Sequence, residues 1–194
     1  MYIRTELANA VASYLKVEID VLLGSGYFGK AYKLKDGRVL KITSDVEEYS
    51  TAILLKEKSF RHIVKIFDAF KFQVESTDFY VVIRDYLEVS APLERFEMLT
   101  SFGDKMRWLY SGAEDLQDVR EETAECKEGF PDIADLIDQY WQVFEDCKRA
   151  GFEKLDIKAA NLGLKGDVLQ LLDTGWSGNN LEKYPESIKI SYNI

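Results

Sequence analysis

Three glycines within a six-residue run, Gly24-Ser25-Gly26-Tyr27-Phe28-Gly29, separate two segments that have the alternating pattern of β-strands. Residues 17–23 alternate and then become apolar up to the first glycine, and residues 31–35 alternate again. Asp36-Gly37 is a hairpin turn signal, after which residues 38–42 form a third strand pattern. A G-x-G-x-x-G motif also occurs in dinucleotide-binding folds, but there it opens a helix. The strand pattern that follows the last glycine therefore favours a glycine-rich flap in an antiparallel sheet.

A lysine and a glutamate downstream of the flap are predicted to pair. Lys41 lies in the third strand pattern, twelve residues after the last glycine. Thr43-Ser44-Asp45 caps a helix that begins at the next residue. Glu48 lies on the apolar face of this helix, which should pack on the sheet, whereas Glu47 faces closer to solvent. We therefore favour Glu48 over Glu47 as the carboxylate that pairs with Lys41.

A second polar cluster lies toward the other end of the chain. Asp156, Lys158, Asn161 and Asp173 fall within eighteen residues. The apolar residues between Asn161 and Asp173 indicate two short strands joined by a turn at residues 165–167. Such a hairpin brings Asn161 and Asp173 together, and an amide with a carboxylate suits a hard cation such as Mg²⁺. Asp156 is then left to orient a hydroxyl or to accept its proton.

The remaining elements follow from apolar periodicity. We expect an amphipathic helix in residues 1–16, strands at 62–68 and 79–83, and a helix from Ala134 that ends near Gly151. The acidic span 111–128 is predicted to be a solvated helix or loop, and we expect a structural role for His62.

The order of these parts along residues 17–177 resembles the protein-kinase-like fold. The residues that carry this resemblance are Gly24, Gly26, Gly29, Lys41, Glu48, Asp156, Lys158, Asn161 and Asp173. It implies an α+β fold of two lobes. Residues 1–87 would form an N-lobe with an antiparallel sheet, the glycine-rich loop and one principal helix. Residues 88–194 would form a reduced, mainly helical C-lobe with the catalytic and metal-binding loops.

The resemblance also implies ATP and Mg²⁺ as cofactors and assigns a role to each matching residue. Gly24, Gly26 and Gly29 would cover the phosphates, and Lys41, held by Glu48, would grip them. Asp156 would orient the acceptor hydroxyl, and Lys158 would neutralise charge on the transferred group. Asn161 and Asp173 would hold the metal. The adenine would bond to backbone atoms of Asp85 and Leu87 in a hinge-like segment, residues 84–88.

Several positions depart from the kinase pattern. Arg84 stands where kinases place an uncharged residue at the back of the adenine pocket. Lys154-Leu155 replaces the usual His-Arg before Asp156, and Thr174 replaces a phenylalanine. Nineteen residues follow Gly175, without the segment that docks peptide substrates. These features resemble minimal phage-encoded or secreted bacterial effector kinases, whose activity we expect to be constitutive or raised by a partner.

Composition limits the function classes. A net charge of −9 argues against general affinity for nucleic acid or anionic membranes, and no segment has eighteen apolar residues in succession. The presence of only two cysteines and one histidine argues against a zinc site and suits a reducing, cytoplasmic location. We expect a kinase that phosphorylates Ser or Thr of a protein, with a host protein as substrate or partner. The alternatives are a small-molecule kinase related to aminoglycoside kinases and a pseudokinase that binds a partner. The sequence leaves the oligomeric state open.

Overall fold

A computed structural model of the chain describes residues 5–74, 77–88, 95, 98–99, 101–102, 116–152, 157, 161–175 and 190–192. The chain divides into two compact units. The first unit comprises Met1–Ser59, Val64–Tyr86 and Thr174–Ile194, and the second comprises Phe60–Ile63 and Leu87–Asp173.

The first unit is built on a sheet with the strand order β1-β2-β3-β5-β4-β8. Strands β1 to β5 pair antiparallel, and β8 pairs with β4 in parallel. The elements of this unit, in chain order, are α1 (Thr5–Leu15), β1 (Ile19–Ser25), β2 (Gly29–Leu34), β3 (Arg38–Thr43), α2 (Val46–Lys56), β4 (Ile66–Val74), β5 (Thr77–Asp85) and β8 (Ile190–Tyr192).

The two helices of this unit cover opposite faces of the sheet. Helix α1 buries a stripe of four small and aliphatic residues, as its i, i+4 spacing predicts. This stripe shares a core cluster with Leu40 and Ile42 of β3. Because side chains alternate along a strand, Lys41 points to the other face, where its partner Glu48 belongs to α2. The sheet therefore lies between α1 and α2, and α2 packs on the face of the sheet that carries Lys41.

The predicted strand at residues 62–68 is displaced in the structure. Strand β4 covers Ile66–Val74, and its Phe70 and Phe72 are buried. His62 and Ile63 precede the strand and belong to the second unit, where the His62 carbonyl oxygen accepts from the Leu171 backbone N–H at 2.9 Å. The predicted start was wrong because Ile63 and Val64 are apolar β-branched residues of the kind found in strands. The backbone of His62 nevertheless bonds to the second unit and not to a strand of the sheet.

The second unit is mainly helical, with a β-hairpin. Its elements are α3 (Leu116–Gly129), a 3₁₀ turn (Pro131–Ile133), α4 (Ala134–Ala150), β6 (Leu162–Lys165) and β7 (Val168–Leu171). Helix α4 has the predicted bounds and ends where Gly151 adopts a φ of 91°, a left-handed conformation that glycine accepts readily. The predicted hairpin is also present, with Gly166 at a φ of 60° in its turn.

The α+β class predicted from the sequence is confirmed. The first unit has a mainly antiparallel sheet, and the second unit is mostly helical. Within the part of the chain that the structure describes, no helix is both long enough and apolar enough to cross a membrane.

Candidate functional site

The glycine-rich flap connects β1 to β2 and is closed by backbone hydrogen bonds. The Gly26 N–H donates to the Gly29 carbonyl at 2.8 Å, and the Ser44 N–H donates to the Phe28 carbonyl at 2.8 Å. Tyr27 and Phe28 are 91% and 53% exposed. The flap is thus anchored at its base to the end of β3, while its aromatic tip projects into solvent.

The three flap glycines differ in what a side chain would meet. A Cβ at Gly29 would lie 2.5 Å from the Ile42 carbonyl oxygen, so the close approach of β3 requires glycine there. Apart from its own chain neighbours, no atom of the described residues lies within 4 Å of a Cβ built at Gly24 or Gly26. Gly29 is therefore needed for packing of the sheet, whereas the first two glycines leave open space for a ligand beside the backbone.

Lys41 and Glu48 form the predicted ion pair. Lys41 Nζ lies 2.5 Å from Glu48 Oε1, and the two side chains are 16% and 6% exposed. The helix start fixes the position of Glu48. The Asp45 carboxylate accepts from the backbone N–H groups of Glu47 and Glu48 at 2.8 and 3.3 Å, so α2 begins at the following residue. The choice of Glu48 over Glu47 from its helix face is confirmed.

Further contacts hold α2 against the sheet on the side that carries Lys41. The ring of Tyr49 stacks on that of Tyr80 in β5, with centroids 4.7 Å apart. At the end of α2, Lys56 Nζ lies 2.6 Å from Asp68 Oδ1 in β4. This hydrogen bond raises the pKa of Lys56 above its ordinary value. The helix is therefore attached along its length, which fixes the carboxylate of Glu48 toward the sheet.

The segment predicted to be hinge-like begins inside β5. Arg84 and Asp85 pair with Val39 and Arg38 of β3, so they are strand residues. The Asp85 N–H donates to the Lys65 carbonyl at 2.9 Å, and the Asp85 carbonyl accepts from Arg84 Nη1 at 3.3 Å. The strand continues beyond residue 83 because the backbone groups of Arg84 and Asp85 pair with β3. The alternation of apolar residues alone did not predict this extension.

Leu87, the other predicted base-contacting residue, belongs to the second unit and is 1% exposed. Its neighbour Glu88 exchanges two backbone hydrogen bonds of 2.8 Å with Leu164 of β6. A Cβ at Gly163 would lie 2.8 Å from the Leu87 Cβ, so the hairpin needs glycine at this point. The local sequence pattern around Gly163 does not signal this close approach.

The hairpin brings the two predicted metal ligands to adjacent positions. Leu162 pairs with Leu171, and the Leu172 N–H donates to the Asn161 carbonyl at 2.7 Å. Asp173 is the next residue, just beyond the paired strand. The hairpin thus brings together two residues that are twelve positions apart in the chain. An amide oxygen and a carboxylate are hard donors of the kind that Mg²⁺ prefers, so the chemistry of this pair fits the predicted ion. Among the residues that the structure describes, no group of three or more His, Cys, Asp or Glu side chains could hold a metal.

The two predicted catalytic residues of the second unit, Asp156 and Lys158, lie outside the described residues. Ile157 between them is described: it is 8% exposed, and its carbonyl accepts a hydrogen bond from the Tyr140 hydroxyl of α4. Tyr140 is itself 1% exposed and packs edge-to-face on Phe102. Tyr140 therefore anchors Ile157 to α4.

His62 has the structural role expected for it. It is 3% exposed, its Nδ1 lies 2.8 Å from the Leu169 carbonyl, and its backbone N–H donates to Asp146 Oδ2 at 2.9 Å. Because a carbonyl only accepts, Nδ1 carries the proton in this contact. Asp146 also accepts from Arg149. The network ties residues 60–63 to α4 and to the hairpin that ends at Asp173.

Comparisons with known proteins leave the family of the chain open. No family model matches it, and no curated protein matches it. Among solved structures, the kinase PK-1 of the Cydia pomonella granulovirus is similar, with a TM-score of 0.48 and 17% sequence identity over 89% of this chain. The chain spans 58% of the length of that protein. The interpretation of the site therefore depends on the geometry described above.

Proposed function

We propose that the chain is a phosphotransferase that moves the terminal phosphoryl group of a purine nucleoside triphosphate to a Ser or Thr hydroxyl of a protein. The sequence resemblance predicts ATP as the donor. The observation that carries the proposal is the buried pair of Lys41 and Glu48 beside the glycine flap. A strand lysine held by a helix carboxylate keeps its charge at a fixed point, where it can bind phosphate oxygens.

The other residues supply the remaining requirements of this chemistry. Backbone N–H groups around Gly24 and Gly26 would contact phosphate oxygens in the open space beside them. Asn161 and Asp173 would hold Mg²⁺, which supplies positive charge to the phosphates when it is bound. Asp156 would accept the proton of the attacking hydroxyl as the new phosphorus–oxygen bond forms and the bond to the leaving nucleoside diphosphate breaks. Lys158 would neutralise charge on the transferred group.

Two finer features belong to the same proposal. The predicted role as a phage- or effector-like kinase that acts on host proteins is supported by the sequence resemblance alone. The predicted cytoplasmic location is supported by the cysteine and charge content.

The experiment that tests the proposal measures transfer and binding separately. The full chain is incubated with Mg²⁺ and radiolabelled ATP or GTP, alone and with a cytosolic extract, and nucleotide affinity is measured by fluorescence of a labelled analogue. We expect labelled protein with the wild type. Asp156→Ala should abolish transfer with nearly unchanged nucleotide affinity, because Asp156 meets the acceptor and not the nucleotide. Asp173→Ala should weaken Mg²⁺-dependent nucleotide binding itself.

Different failures have different meanings. Absence of Mg²⁺-dependent binding of either nucleotide by the folded chain would refute the proposal. Nucleotide binding without transfer would favour the pseudokinase alternative. Consumption of nucleotide with an amino-sugar acceptor and without labelled protein would favour a small-molecule kinase.

A further inference from the structure

An arginine occupies the sheet face that carries the phosphate-binding lysine. In the register of the first unit, Val39 of β3 stands opposite Lys33 of β2 and opposite Arg84 of β5. Lys41 is two residues beyond Val39 in the same strand. Because directly paired residues and i, i+2 neighbours share a face, all four side chains lie on the face of the sheet that bears Lys41. The row of Lys33, Val39 and Arg84 is next to the row of Lys41.

Arg84 is held in place and removed from solvent. It is 7% exposed, and its Nη1 donates to the Asp85 carbonyl at 3.3 Å. The kinase resemblance assigns adenine to backbone atoms of Asp85 and Leu87, and this carbonyl is one of those atoms. The Arg84 guanidinium therefore already engages an acceptor of the predicted base-binding segment.

The chemistry of a guanidinium decides which base fits beside it. Arginine only donates hydrogen bonds, through a planar set of N–H groups. Adenine carries an amino group, which is also a donor, at its six position, so the two would oppose donor to donor. Guanine carries the O6 and N7 acceptors on the corresponding edge, and a bidentate contact from arginine to these atoms is a common specific pairing.

We propose that Arg84 is a base-selecting residue and that the site takes a 6-oxopurine nucleoside triphosphate, GTP, in preference to ATP. This inference rests on the proposed function, since it concerns the base of the same phosphate donor. Arg84 would replace the adenine contact predicted at Asp85 with recognition of the guanine carbonyl oxygen. A good bidentate pair discriminates between bases by about 5- to 150-fold in affinity.

Lys33 provides a matched control. It lies in the same cross-strand row, but its Nζ stands 4.3 Å from the centroid of the Tyr86 ring in a cation–π contact. Removing Lys33 takes one positive charge from the same face without removing the planar donors. If base preference depended on net charge alone, removal of Lys33 and removal of Arg84 would therefore change it equally.

The test measures the Mg²⁺-dependent affinities of GTP and ATP by competition against a fluorescent nucleotide. We expect the wild type to bind GTP at least about 5-fold more tightly than ATP. Arg84→Met should shift the ratio of the two affinities toward ATP by about 5-fold or more, and Lys33→Met should leave the ratio within about 2-fold of the wild type. Thermal melts establish that each variant is folded.

A second variant keeps the inference testable if Arg84→Met does not fold. Arg84→Lys retains the charge without the planar pair of donors, so it should lose most of the preference for GTP. A wild type that binds ATP as tightly as GTP, or an Arg84 variant with an unchanged ratio, would overturn the inference and leave the proposed function standing. Binding of neither nucleotide would instead refute the proposed function together with this inference.

Discussion

Replacing Glu48 with glutamine tests whether the buried ion pair stabilises the first unit. The change keeps the shape of the side chain and removes its charge. At the 2.5 Å separation of Lys41 Nζ and Glu48 Oε1, the pair attracts by about 7 kcal/mol at an effective dielectric constant of ~20, before the cost of desolvation. Loss of one partner leaves the other charge buried, which typically costs about 3–5 kcal/mol. Since Lys41 keeps 16% exposure and glutamine can still accept a hydrogen bond, we expect a loss of about 2–4 kcal/mol.

Glu47→Gln is the matched control for this substitution. Both glutamates lie in the first turn of α2, so both variants lose the same favourable interaction with the helix dipole, about 0.3–1 kcal/mol. Urea unfolding followed by circular dichroism should therefore show a midpoint about 1–2 M lower for Glu48→Gln and a much smaller change for Glu47→Gln. Equal midpoints for the two variants would refute the view that the pair with Lys41 carries the effect. The double variant Lys41→Met, Glu48→Met should recover part of the lost stability, because neither charge is then left alone.

The remaining predictions concern backbone packing, a helix cap and a buried thiol. Gly29→Ala should lower the urea midpoint because its Cβ would lie 2.5 Å from a backbone oxygen of β3, whereas Gly24→Ala, with no atom within 4 Å, should not lower it. Asp45→Ala should cost about 1 kcal/mol in the same assay, since two backbone N–H groups of α2 lose their acceptor. Burial raises the pKa of Cys147 to about 12, so peptide mass spectrometry should find it alkylated by iodoacetamide at pH 8 only after unfolding. Rapid labelling of Cys147 in the native protein would contradict its burial.

Local patterns predicted most of the first unit correctly. The strand alternation around the flap, the cap at Asp45 and the helix-face argument for Glu48 all depend on neighbours within a few residues. These signals can be read from a short stretch of sequence, because the strand and helix periods decide which side chains share a face. The periods therefore predict that Glu48 and not Glu47 faces the sheet, and the family resemblance predicts that Lys41 pairs with it.

Features that depend on distant partners were not predictable in the same way. His62 lies outside β4, and its backbone N–H donates to Asp146, which is 84 residues away in the sequence. The sequence marked Arg84 as unusual, but its burial depends on how β3, β4 and β5 enclose it. The need for glycine at position 163 arises only when Leu87 approaches the hairpin. No local window of the sequence contains these contacts.

The segment at residues 60–63 has a consequence for the synthesis of the protein. It belongs to the second unit, although the chain on both sides of it belongs to the first. At translation rates of about 5–20 residues per second, Asp146 is added roughly 4–17 s after His62, which is 84 residues earlier. During that interval β7, whose Leu171 bridges Ile63 in the complete structure, does not yet exist either, although Ile63 is finally only 2% exposed. A nascent chain that stalls before residue 146 therefore leaves the apolar side chain of Ile63 without its native partner, and transiently exposed apolar surface of this kind is what chaperones bind.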